Sequence, residues 1–566
     1  MRGARGAIEP GAINRAPTSG APQATGRVAG GTVDWSRRNV FGWGYADETV
    51  PDAMKRRYAA LLTQAFGGIE LRERPIPRVE DLALRAPRFA LADELAAYST
   101  DALFDRANHT YGRAWRDVVR AMRGDFSPAP DYVAYPRDEA DIAALMRFCA
   151  DHAVALIPFG GGSSVVGGVE PRVGDAYAGA IVCDLRRLNR ILRIDAVSRT
   201  VSAEAGIYGP DLADGLRPHS LVLRHYPQSF EFSTLGGWIA TRAGGHFATL
   251  YTHIDEFVQS VRLVTPRGIW ETRELPGTGD GPDANRFVIG SEGVFGVITR
   301  ATMRVQAIPT FREGAVVRFD EQDGAVDAVR AIAQSGLNPA NCRLISALEA
   351  FTMGIGDGAR TVLLLGFESS DHTQVDKLRR ALEIAAMHGG VSDGAGSGAS
   401  EGDPDAGATW KDRFIRAPYV RDWLARCGVI TETLETATTW DRIAAFHDAV
   451  MNAAVSAVMK ECGAGFVFWR FTHVYADGPA IYYTVVAPGR EGDEIAQWDA
   501  IKAAASDAII ANGGPITHHH AVGRDHRRWF ETQRNPLFGE VLERVKTTVD
   551  PSWVMNPGVL VDRPQS

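Results

Sequence analysis

The chain has 566 residues, and 61 Lys plus Arg against 69 Asp plus Glu leave a net charge of −8. Apolar residues make up 45% and charged residues 23%, ordinary globular usage that excludes collagen, coiled coil and wholesale disorder. The acidic balance, with no basic block, excludes a nucleic-acid partner, and no apolar run approaches the roughly 18 residues of a spanning helix.

Residues 1–34, rich in Gly, Ala and Pro, read as a disordered tail without the apolar core of a secretory signal. A mostly helical region is expected over 35–127, with helical patterns near 52–66 and 93–98 and an aromatic, Gly-spaced packed surface segment at Phe41–Tyr45. From Tyr132 the pattern becomes strand, turn, amphipathic helix, then a buried strand (155–159) running into glycines, followed by short strands at 180–185, 200–207 and 257–268. A composition shift near 309 marks a domain boundary, after which strands near 314–319, 342–346 and 361–368 alternate with a helix near 323–335. The Gly/Ser/Asp run at 388–408 reads as a mobile loop and candidate lid. Helices are expected near 411–426, 440–463, 496–512 and 536–548, strands at 465–476 and 480–488, and a strand-like Gly-Gly-Pro-Ile-Thr (513–517) before three histidines. Five scattered cysteines without a CxxC pair argue against a disulfide framework and a structural zinc. They indicate a reduced, cytosolic-type protein, and the scarcity of lysine (6 against 55 arginines) points to a bacterial cytosol.

Chemistry first appears in Pro158-Phe-Gly-Gly-Gly-Ser-Ser164. Consecutive glycines after a buried strand let backbone N–H groups approach an anion, because no Cβ intervenes. The loop is neither a Walker loop, since Gly168 stands where lysine is required, nor a dinucleotide fingerprint, since Val165 replaces its last glycine. Gln228–Trp238, Thr241–Gly245 and Gly290–Thr299 add further small-residue loops, which together could hold phosphates, ribityl hydroxyls and a planar ring.

These motifs, in this order over 128–308, resemble the FAD-binding PCMH-type domain of the vanillyl-alcohol-oxidase superfamily. The resemblance implies an α+β protein: a two-subdomain FAD-binding domain (128–308), an α+β substrate or cap domain (309–525), and a C-terminal helical segment (526–566) returning to the flavin. It assigns cofactor contacts to Pro158, Phe159, Gly160, Gly161, Gly162, Ser163 and Ser164. Gln228, Ser229, Phe230, Glu231, Phe232, Ser233, Thr234, Thr241, Arg242, Ala243 and Gly244 follow, then Glu292, Gly293, Val294, Phe295, Gly296, Val297 and Ile298. Some relatives tether the flavin through a histidine after the glycine loop; Ser163 and Ser164 stand there instead, which implies non-covalent FAD.

Phe41–Tyr45, Tyr419-Val-Arg-Asp422, Tyr475–Tyr482 and Asn512–Gly523 narrow the resemblance to the alkyldihydroxyacetonephosphate synthase family. That family exchanges the acyl group of acyl-dihydroxyacetone phosphate for a long-chain fatty alcohol. Tyr482 and Tyr483 are neighbours on a predicted strand, and alternation alone does not choose between them. The resemblance selects Tyr482 as proton-abstracting residue, Arg343 for stabilising charge, Arg421 for substrate binding, and His518, His519 and His520 for the leaving carboxylate or the phosphate. A tyrosine of pKa about 10 needs a cationic setting to act as a base. An extended backbone would turn adjacent histidines to opposite faces, so no metal is assigned to them. Phe466–Trp469, Val485 and Val486 are expected to line an apolar tunnel. Peripheral membrane contact and a homodimer are left open. The rival readings are an FAD-dependent 2-hydroxy-acid dehydrogenase of the D-lactate or glycolate type, and a flavin-binding protein without catalysis.

Overall fold

The structure, a computed structural model, describes residues 33–392 and 416–563. The N-terminal tail to residue 32 and most of the Gly/Ser run, with the lid assigned to it, lie outside those residues. Asp138 caps the helix of the parallel crossover: its carboxylate accepts from the N–H groups of Ala140 and Asp141 at 2.9 and 3.0 Å. Along helix Glu139–Asp151, Ile142, Leu145, Met146 and Cys149 recur at helical spacing and are buried. Strand Val154–Phe159 then runs parallel to Gly179–Asp184, which is parallel to Tyr132–Ala134, so the crossover delivers the glycine loop at a strand C-terminus. A five-stranded antiparallel sheet follows, in the order Ile191–Asp195, Thr200–Glu204, Val297–Arg304, Val258–Thr265, Gly268–Glu271.

The C-terminal segment returns to this part of the chain. Val549, Val559 and Leu560 of the C-terminal segment join the core of the five-stranded sheet. Buried Lys546, on helix Pro536–Val549, donates to the carbonyls of Val294 and Met555 and to Asp550 at 2.6–2.7 Å. Asn556 Nδ2 donates to the carbonyl of Glu292 at 2.7 Å.

A seven-stranded antiparallel sheet forms the second half. Its order is Val391–Ser392, Phe311–Phe319, Thr361–Ser369, Asn341–Ile345, Phe466–Val474, Pro479–Pro488, Val429–Ala437. Leu344, Val467, Trp469, Tyr483 and Val485 pack on one face against helices Gln322–Gln334, Val375–Met387, Ile443–Cys462 and Glu494–Ala511. The opposite face is left to form a cavity wall.

Three expectations fail locally. Phe41–Tyr45 is not a surface segment: Phe41 and Trp43 are buried. Trp43 N donates at 2.6 Å to Asp422, beside Arg421, so two motifs remote in sequence are one packed unit. Gly44 (φ 74°) would put a Cβ within 2.5 Å of the Tyr419 ring, which requires glycine. The region before residue 127 is less helical than expected. Between Phe66 and Ala92 only the short turn Val79–Asp81 is helical, because Pro75, Pro77 and Pro87 lack the N–H a helix needs. Residues 513–517 are not a strand; Gly513 (φ 77°) opens an irregular turn.

Candidate functional site

The glycine loop and the segments at 234–241 and 292–298 converge on a slot of about 80 Å³ lined by Pro158, Phe159, Gly160, Ser164, Thr234, Thr241, Glu292, Gly293, Gly296 and Ile298. Two of the glycines are also required by packing within the chain. A Cβ on Gly160 would meet Thr234 Oγ1 at 2.3 Å, and one on Gly161 the Phe232 carbonyl at 1.9 Å. The side chains of several other residues expected at the cofactor pack elsewhere. Val294, Phe295 and Ala243 are core. Phe232 packs edge-on to Trp43, Phe230 stacks on Trp238, and Arg242 pairs with Asp255. Gln228 lines the neighbouring cavity instead. Ser164 Oγ accepts from Gly168 N at 3.0 Å, closing the loop on itself.

Beside the slot lies a cavity of about 350 Å³ that collects Tyr482, Arg343, Arg421 and His520. Cross-strand register explains its character. Arg470 pairs with Tyr482, Phe468 with Thr484, and Phe466 with Val486. The wall therefore runs from a charged end to an apolar end over about 13 Å, taking roughly 3.3 Å per strand residue. Leu62 and Tyr58, from helix Asp52–Ala65, cover the apolar end with Phe466 and Val486. Only alternate members of the expected tunnel take part: Phe466, Phe468 and Val486 face the cavity, whereas Val467, Trp469 and Val485 are core on the other face. The same alternation separates the tyrosines. Tyr483 is fully buried among the helices, 3.2 Å from His447 Nδ1.

The Arg470 guanidinium sits 4.0 Å from the centre of the Tyr482 ring and is paired with buried Glu349. Burial pushes the Tyr482 phenol above its ordinary pKa, and Arg470 pulls it back. Burial, then the charge of Arg470, lowers Arg343 to about 9. Arg421 donates from Nε to Asp422 (2.8 Å) and from Nη1 to the Arg113 carbonyl (2.7 Å), while Arg113 N donates to the Ser164 carbonyl. It thus ties helical residues 416–426 to the glycine loop.

The triple histidine is organised by a residue the sequence did not single out. Glu435, on the strand next to Tyr482, accepts from the Thr517 hydroxyl at 2.6 Å and from the N–H groups of His518, His519 and His520 at 2.5–2.9 Å. Because this loop is not extended, His518 and His519 do not point to opposite faces. Their Nδ1 atoms are 3.1 Å apart, and with His473 their ring nitrogens lie within 4.8 Å. His473 Nε2 is engaged by the Gly245 carbonyl and His518 Nε2 by the Tyr475 hydroxyl, both at 2.9 Å. His520 faces the large cavity.

Burial keeps much of this histidine population neutral. His225, His520 and His526 are pushed down to about 3 and His447 to about 4. An unfolded chain takes up protons at these four from pH about 6.5 downward while the folded chain does not. Their contribution is complete above that pH and is lost as the pH falls towards 4. Glu292 and Asp117, raised by burial to about 7 and about 6, oppose the trend in part. The thermal unfolding midpoint should therefore be lower at pH 5 than at pH 7.5, and scanning calorimetry at both values checks it; an unchanged or higher midpoint at pH 5 contradicts it.

Residues 130–273 match the family described as FAD binding domain, and residues 308–560 the family described as FAD linked oxidases, C-terminal domain. The alkyldihydroxyacetonephosphate synthase of Dictyostelium discoideum is 28% identical over 528 residues, covering 87% of this chain and 84% of its own. A solved structure of alkyldihydroxyacetonephosphate synthase has the same fold, with a TM-score of 0.77 at 24% identity over 93% of this chain and 99% of that one. This chain is an alkyldihydroxyacetonephosphate synthase-like flavoenzyme. The scaffold is shared more widely: a D-2-hydroxyglutarate dehydrogenase of Stutzerimonas stutzeri (strain A1501) is 25% identical over 80% of this chain and 93% of its own.

The synthase-like enzyme uses FAD, and the slot suits that cofactor. Its glycine walls leave room for little besides a thin ligand, and the hydroxyls of Ser164, Thr234 and Thr241 suit phosphate and ribityl oxygens. Glu292 holds its carboxyl against the N–H groups of Val522 and Gly523 at 2.9 and 2.7 Å. With its pKa raised to about 7, it imposes only part of a negative charge on an anionic ligand.

The sequence reading passed over Arg470, Glu435 and the buried Lys502–Glu432 pair (2.6 Å), of which Arg470, Lys502 and Glu432 line the cavity. A signal existed: Arg470 is the one charge inside an apolar strand, and Glu432 and Glu435 interrupt another. Isolated charges in strands that must be buried demand partners.

Proposed function

We propose that the enzyme exchanges the acyl group of acyl-dihydroxyacetone phosphate for a long-chain fatty alcohol, giving alkyl-dihydroxyacetone phosphate with no net redox change. One observation carries this reading. The cavity wall passes from Arg343, Arg470 and Tyr482 to Phe466 and Val486 along a single sheet face, which suits an amphiphile with a phosphorylated head and a long tail. FAD, when bound in reduced form, supplies a nucleophilic ring nitrogen.

The chain's own residues do the rest. Tyr482, as phenolate, takes a proton from C1 of the substrate and returns it after the alcohol has added. Arg470 favours that phenolate from 4.0 Å. Arg343 stabilises negative charge that develops on the head group, and its burial strengthens the interaction. Arg421 and the triple histidine hold the phosphate or the departing carboxylate, with Arg421 kept in place by Asp422. An anion entering beside His520 would favour its protonated form.

Purified protein incubated with acyl-dihydroxyacetone phosphate and labelled hexadecanol should yield labelled ether product; none above blank would sink the reading. Stopped-flow bleaching of the oxidised flavin by a small 2-hydroxy acid would support a dehydrogenase instead. The cofactor is held without a covalent bond on this reading, since Ser163 and Ser164 stand where a tethering histidine would be. Acid denaturation should therefore release the yellow chromophore into the supernatant, and colour remaining with the precipitate would contradict it.

A further inference from the structure

Glu435 is almost fully buried, yet it lines neither the slot nor the large cavity. Its carboxylate accepts from four successive groups of one loop: the Thr517 hydroxyl and the main-chain N–H groups of His518, His519 and His520. It also lies 3.2 Å from His519 Nδ1 and 3.7 Å from His520 Nδ1. In the sheet it stands directly opposite Tyr482, whose other neighbour is Arg470. The rings of His519 and Tyr482 stack with centroids 6.2 Å apart.

We propose that Glu435 is a positioning residue that acts through His519: by holding the main chain of the triple-histidine loop and facing Nδ1 of His519, it sets the orientation of that ring relative to Tyr482. The chemistry requires a carboxylate. Five hydrogen bonds from four donors converge on its two oxygens, and only an ionised carboxyl accepts on both without offering a donor. An amide at this position would turn an NH2 group towards N–H groups that themselves donate. A second consequence follows from register: loop and base are fastened to adjacent strands of one sheet, so the histidines cannot drift from Tyr482 without breaking this anchor. The inference rests on the exchange reaction proposed above, with the histidines acting on the substrate.

The test compares Glu435→Gln, His519→Asn and the double variant in the alcohol-exchange assay, with bound flavin measured by absorbance. Glu435→Gln should keep its flavin, lose about a hundredfold in kcat and change the KM for hexadecanol by less than about threefold. Because the effect passes through the histidine, the same change in the His519→Asn background should cost less than about threefold. A full, additive loss in that background overturns the proposal, as does a kcat for Glu435→Gln within about threefold of the parent. Should Glu435→Gln fail to fold, Glu435→Asp keeps the charge one methylene short. It should retain flavin with kcat about tenfold down, and parental kcat overturns the proposal. If the parent shows no exchange, the reaction reading has failed. Glu435 is then tested by titrating dihydroxyacetone phosphate against the flavin spectrum: binding about tenfold weaker in Glu435→Gln supports the positioning role, and unchanged binding overturns it.

Discussion

Replacing Tyr482 by phenylalanine should lower alcohol exchange by about a thousandfold or more, the worth of a general base, while the protein stays yellow and folded. Replacing its neighbour Tyr483 in the same way should leave turnover within about threefold and cost about 1 kcal/mol of stability. The contrast follows from which face each ring occupies. Tyr482 is on the cavity wall under the Arg470 guanidinium, and the change deletes one hydroxyl without opening a hole. Tyr483 is sealed against the helices with its hydroxyl on His447, 3.2 Å away. Steady-state rates, flavin absorbance and denaturant unfolding of the two variants decide the matter. Comparable losses of rate in both would refute the assignment of the base.

Arg470→Met should affect both rate and stability. The guanidinium is buried between Glu349 and the Tyr482 ring, so its removal strands a carboxylate that is only 2% exposed. Leaving one member of a buried pair alone costs about 3–5 kcal/mol. The same change removes the cation that favours the Tyr482 phenolate, so the rising limb of the rate profile, where the phenol must lose its proton, should move to higher pH as well. The double variant Arg470→Met, Glu349→Gln separates the two roles: neutralising the stranded acid should recover most of the stability and none of the rate. Recovery of rate together with stability would mean that Arg470 is only a packing residue.

Much of the cofactor half was legible because its signals are local. A capped amphipathic helix between two buried strands, ending in glycines, defines a crossover whatever follows it, and the small-residue loops at 234–241 and 292–298 keep their order. The glycines were read as sites where backbone amides approach a ligand; at Gly160 and Gly161 the chain itself also packs close enough to exclude a Cβ. Proline content would have tempered the helical expectation between Phe66 and Ala92. The irregular path of 513–517 could not have been foreseen from propensity, since the hydrogen bonds after it go to a side chain 83 to 85 residues away.

By itself the sequence determined the flavoprotein scaffold, the alternation of each strand and the motifs that carry the resemblance, because these follow from periodicity and from patterns a few residues long. Only the tertiary structure decided which of two adjacent tyrosines faces the cavity, that Trp43 meets Asp422 across 379 residues, and that Arg470 and Glu435 flank Tyr482. The physical reason is that a strand's two faces are equivalent until something covers one of them. Here the covering helices and the flanking strands come from distant parts of the chain, and no local pattern records which face they take.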